Sequence, residues 1–204
     1  MKTKNLLAIL FLCVTLAVTA QDFQEERGNL SFLKDQKVVN VEFKYDNLRL
    51  MKDNVTEKEY VEERRDFLNN RNKGEGDNWL KKWEGARETF WEPKFLDLMR
   101  RTVTESKGIV FQKDAPQAPY TLIVDAQWIY PGWDAYVMKQ KAKVTTVLSF
   151  VETNNRENVL YQIRSIEAPG DQIGHNYSNE LRIGEGFEKT AKSFGKLIIK
   201  RLKK

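Results

Sequence analysis

The chain has 204 residues, 41% of them hydrophobic and 31% charged, with a formal net charge of +5. That length supports one domain with a real hydrophobic core. A single cysteine and a single histidine exclude a disulfide framework and argue against a His/Cys metal centre, and so weak a positive charge is no footprint of nucleic-acid binding.

The chain opens with Lys2 and Lys4, an apolar run from Leu6 to about Val18, and Val18-Thr19-Ala20 before the polar Gln21-Asp22. This is the three-part plan of a secretory signal, read as cleaved after Ala20. The run is shorter than the roughly 20 apolar residues that span a bilayer. A lipid-anchored Cys13 would want a small residue before it, and the chain has Leu12 there. Residues 1–20 are therefore read as a removed signal and 21–204 as a single domain. That predicts a secreted, periplasmic or cell-envelope protein, not transmembrane after cleavage. Losing Cys13 leaves it without cysteine, which leans towards a bacterial source.

Asp22 to Gln36 reads as a polar arm that docks through Leu30, Phe32 and Leu33. In "KVVNVEFKYDNLRL", Val39, Val41, Phe43 and Tyr45 alternate with Asn40, Glu42 and Lys44, the pattern of a half-buried strand. Thr56 and Glu59 form a T-x-x-E capping box that starts a helix with Tyr60, Val61, Phe67 and Leu68 on its apolar side. "NKGEGD" breaks it, and Asp77 is expected to cap a second helix bearing Trp79, Leu80, Trp83 and Ala86. Pro93 marks a third start. Phe95, Leu98, Met99 and Val103 make its stripe and Gly108 its end.

Three β segments follow: "YTLIVDAQWIYP", "KAKVTTVLSFVE" and "ENVLYQIRSIEA", the last two joined by a turn at residues 153–156. A glycine-bearing loop leads to a final helix with Phe187, Ala191, Phe194 and Ile198 on one face, and "IGEG" (183–186) reads as a hinge before it. The expected fold is α+β: an antiparallel sheet of about four strands with helices packed on one face, in the order β-α-(α)-α-β-β-β-α.

The candidate ligand-binding residues lie in "QWIYPGWDAY" and the loop beyond. Trp128 shares a strand face with Tyr130, Pro131-Gly132 turns the chain, and Trp133 and Tyr136 fall at or near a loop. Exposed aromatic rings of this kind can stack on sugars or grip a peptide. The bland alternative is that Trp128 is core and Trp133 seals the sheet end. His175 completes the candidate set. With Asp171 or Glu180 it would make a hydrolase-type base, but no hydroxyl is marked as a nucleophile. No catalytic residue, metal ligand or cofactor is assigned. The tail holds seven basic residues and no acid from Lys189 onward. That suits a helix C-terminus and, as an alternative, contact with an anionic membrane surface.

Together, "LSFLKDQKVVNVEFKYDNLRL", "GEGDNWLKKWEGAR", "FWEPKF" and "YTLIVDAQWIYPGW" resemble a family of small, uncharacterised secreted proteins of the Bacteroidetes type. The resemblance runs from about Leu30 to Trp133 and implies a bacterial envelope location and no nucleic-acid partner. It transfers no activity and no site residue. The expectation is a non-enzymatic binding or accessory module whose partner is an envelope protein or a small ligand, with a hydrolase or a membrane-surface structural protein as alternatives.

Overall fold

A computed structural model describes residues 21–135, 137–170 and 178–203. The proposed signal, Tyr136 and the loop holding Asp171 and His175 lie outside the described residues.

The arm is a strand. β1 (Asp22–Gly28) pairs antiparallel with the last strand of the sheet, with a bulge between Gln24 and Arg27. Its residues are mostly exposed, so backbone pairing at the sheet edge holds it where side-chain burial does not. Leu30 and Leu33 then dock in the core as expected, and Phe32 packs on Tyr120 and Phe150.

β2 (Val38–Lys44) buries Val39 and Val41. Short β3 (Arg49–Leu50) and β4 (Val55–Thr56) lead into α1 (Glu57–Arg71), where the capping box forms as the sequence predicts. α2 (Glu75–Ala86) is preceded by Gly74 in the left-handed conformation, so Gly74 and not Asp77 occupies the cap. Asp77 lies in the first turn and pairs with Arg65 at 2.7 Å.

Pro93 does not begin a separate helix. α2 runs through a π-helical turn, Arg87–Trp91, into α3 (Glu92–Met99), then through a second, Arg100–Thr104, into α4 (Glu105–Lys107). The wider turn before Pro93 accommodates a residue that has no N–H to donate. Phe95, Met99 and Val103 are fully buried, and Gly108 ends the run at φ 71°.

The β block comprises β5 (Val110–Gln112), β6 (Tyr120–Tyr130), β7 (Trp133–Asp134), β8 (Lys139–Gln140), β9 (Ala142–Glu152) and β10 (Asn155–Gly170). β9 and β10 form the expected hairpin. The sheet is larger than expected and mixed. It has eight strands in the order β1-β10-β9-β6-β2-β5, with β3 against β6 and β4 against β3. β2 pairs parallel with β5 and β6, and β3 pairs parallel with β6. A parallel pair needs a long crossover, which the helical run from α1 to α4 supplies between β2 and β6.

α5 (Asn179–Arg201) packs on β9 and β10 through Phe187, Ala191, Phe194 and Ile198, all fully buried. "IGEG" is no hinge. It lies inside α5 and is buried, because a Cβ on Gly186 would sit 2.5 Å from Val144 Cγ2 and 3.0 Å from the Ala168 carbonyl. The glycine lets the helix close onto the sheet. No helix among the described residues is long and apolar enough to cross a membrane.

Candidate functional site

The aromatic segment ends β6 at one corner of the sheet. Gly132 takes φ 66° at that corner, where a Cβ would fall 2.4 Å from the Gln140 carbonyl. Only glycine allows the chain to fold back so tightly. The chain then forms the two-stranded ribbon β7–β8, with Trp133 opposite Gln140. An isolated two-stranded ribbon is marginal in water, and side chains tie this one to the body. Gln140 Oε1 accepts from Tyr130 OH at 2.8 Å and from Trp133 Nε1 at 3.1 Å. Arg182, buried in α5, donates from Nε to the Pro131 carbonyl at 3.2 Å and from its terminal nitrogen to the Gly132 carbonyl at 3.1 Å. Burial pulls the Arg182 pKa below its ordinary value, against the opposing pull of Asp134 and Glu180.

Facing this corner stands α1. Its base is fixed by Glu57, whose carboxylate accepts from Trp83 Nε1 at 2.9 Å and from Arg87 at 2.7 Å. Arg87 also lies over the Tyr45 ring at 4.2 Å. Tyr60 meets Trp83 and Trp79 through ring contacts of 5.3 and 6.0 Å. A Cβ on Gly76 would fall 2.1 Å from the Arg65 carbonyl, so α2 presses close to α1. The wall is therefore closely packed, as a preformed binding surface requires.

Between wall and corner runs a groove of about 440 Å³. Tyr60, Tyr130 and Pro131 line it, with Phe67 on the α1 side and Trp133 on the ribbon side. Phe67 is 56% exposed and Trp133 40%. Asp53, Glu63, Arg64 and Asn179 supply polar groups. The Arg64 guanidinium lies 5.7 Å from the Phe67 ring centre, a cation–π distance. Burial pushes the Tyr60 phenol up to about 12, so it remains a neutral hydrogen-bonding group at physiological pH. At the ribbon tip Val137 and Met138 are 81% and 65% exposed.

The structure separates the candidate residues. Trp133 lines the groove. Trp128 does not: its indole N–H donates to the Met51 carbonyl at 2.8 Å and its ring stacks on Tyr130 at 6.4 Å. It borders a smaller cleft of about 300 Å³ with Lys52, Lys143 and Glu167. Tyr130 lines both cavities. Tyr136 and His175 lie outside the described residues, as does Asp171. Glu180 is buried at the start of α5, where its Oε2 accepts from Ser178 at 2.6 Å. Among the described residues no group of three or more His, Cys, Asp or Glu is placed to hold a metal ion.

Phe67 and Arg64 were not singled out as site residues from sequence. Phe67 lies seven residues after Tyr60 and so on the same helical stripe, which reads as core packing until the opposing ribbon is in place.

No family model and no curated protein matches the chain. Among solved structures, the chain is similar to a PelC dodecamer from Paraburkholderia phytofirmans, with a TM-score of 0.38 and 9% identity over 85% of this chain and 96% of that one. A point variant of PelC from the same organism, also a dodecamer, gives a TM-score of 0.35 and 11% identity over 90% and 95%. Neither likeness bears on function.

Proposed function

We propose that this protein is a non-enzymatic binding or accessory module of the bacterial cell envelope, and that it takes its ligand in the groove between α1 and the β6–β7 corner. The observation that carries the reading is the pairing of Phe67 and Trp133. Two large rings stay partly in water on opposite walls of one groove, although both could have contributed burial energy to the core. Polar groups beside them supply orientation, as ligand sites require. The signal-like N-terminus supports the envelope location.

The ligand class is an extended chain, a glycan or a peptide, that the rings grip from both sides. The test follows the indole N–H resonance of Trp133 during titration with a soluble β-linked glucan oligomer and with a tyrosine-rich peptide. A saturable shift with either probe, absent from the Phe67→Ala variant, is expected. Neither probe moving the resonance would overturn the reading.

A further inference from the structure

The second half of α5 carries a feature that the groove does not use. Lys189, Lys192, Lys196 and Lys200, with Lys203 just past the helix end, recur every three or four residues. At 3.6 residues per turn the four on the helix fall within an arc of about 80°, over a length of about 17 Å. That arc lies opposite the buried stripe of Phe187, Ala191, Phe194 and Ile198. Lys192, Lys196, Lys200 and Lys203 are exposed, and Lys189 is half-buried.

Nothing among the described residues neutralises the row. Four carboxylates on and beside α5 are engaged by other cations, and Glu180 and Glu185, in its first two turns, are buried. Glu188 pairs with Lys94, Asp97 with Arg100 and Arg101, Glu26 with Arg201, and Glu25 with Arg164. A row of like charges along one helix is self-repelling. A dipole explanation reaches only the last turn, whereas this row begins at Lys189, twelve residues before the helix ends at Arg201.

We propose that this row docks the protein on an anionic lipid bilayer, as a peripheral electrostatic contact. The row is straight and mostly exposed, so it matches a plane of headgroups. Its cations are all lysines, point charges on flexible stems that suit diffuse attraction more than bidentate recognition of one anion. The apolar side of α5 is spent on the sheet, so the helix rests on the surface without inserting. Each lysine near an anionic leaflet strengthens binding by about fivefold, and salt screens the effect.

The test is co-sedimentation of the full chain with phosphatidylcholine vesicles, with and without about one third phosphatidylglycerol. Residues 6–18 are themselves apolar, so the quantity read is the preference for anionic over neutral vesicles. A clear preference that falls with salt is expected. The Lys192→Gln/Lys196→Gln/Lys200→Gln variant should lose roughly 100-fold of it, and the charge-keeping variant with arginine at the same positions should retain it. Four results would overturn the proposal: no preference, a preference insensitive to salt, one that survives the glutamine variant, or one lost in the arginine variant. Binding to soluble polyaspartate without any vesicle preference would also overturn it, assigning the row to an acidic polymer.

Discussion

Trp133 and Trp91 are both tryptophans anchored by an indole hydrogen bond, yet replacing each with alanine should give very different results. Trp91 is fully buried, touches the rings of Tyr45, Trp83 and Phe187, and donates to the Glu180 carbonyl at 2.9 Å. Its removal leaves a cavity and forfeits that hydrogen bond, at a cost of about 3–5 kcal/mol. Trp133 is 40% exposed on a two-stranded ribbon, and its hydrogen bond to Gln140 lies at the surface. Removal forfeits that bond and partial burial, about 1 kcal/mol in all. For a chain of this length 1 kcal/mol moves the Tm by roughly 2–4 °C. Trp133→Ala should therefore lower the Tm by about 2–4 °C, and Trp91→Ala by roughly 6–20 °C. Thermal unfolding followed by circular dichroism, run on both variants beside the native protein, measures the contrast. If Trp133→Ala falls as far as Trp91→Ala, Trp133 seals the core and the groove loses one of its walls.

Three further outcomes follow from the packing. Burial raises the pKa of Asp125, and its Oδ1 is buried without a partner. A raised folded pKa means that the ionised carboxylate weakens the fold, by an amount absent below its ordinary value of 3.8 and growing as pH rises from there to the folded value. Asp125→Asn should thus raise the Tm at pH 7, with the gain shrinking towards pH 4, as a pH series of melting curves would show. Gly186→Ala gains about 1 kcal/mol of helix propensity but forces a methyl against Val144 and the Ala168 carbonyl, where overpacking costs about 1–3 kcal/mol. A net loss of stability in urea titration is expected, and a gain would show that α5 has room to move. Thr56→Ala removes the acceptor that holds the Glu59 N–H at 3.2 Å and should cost about 0.5–2 kcal/mol, read as a fall in urea midpoint at unchanged slope.

Local chemistry was the legible part of the sequence. The Thr56 capping box, the hairpin of β9 and β10, and the buried stripe of α5 each depend on residues a few positions apart, whereas β2 buries Asn40 along with Val39 and Val41 and shows no such alternation. The larger departures were non-local or came from backbone demands that side-chain patterns do not advertise. β1 has almost no buried side chain, so its sequence carries no alternation to read. The parallel register of β2 with β6, Asn40 opposite Thr121, joins positions on either side of a long helical crossover. Pro93 suggested a boundary, but the π-helical turn before it lets the helix continue. In "IGEG" the glycines mark close packing and not a loop. The site divides in the same way. Trp133 stood out beside Pro131-Gly132, whereas Phe67 and Arg64 join it only because α1 folds across the corner.

The most direct measurement is native mass spectrometry of the protein isolated from its native cells, comparing the native chain with the Phe67→Ala/Trp133→Ala variant. A binding groove predicts extra non-covalent mass on the native chain and none on the variant. A bare native chain, or the same mass retained by the variant, would contradict it.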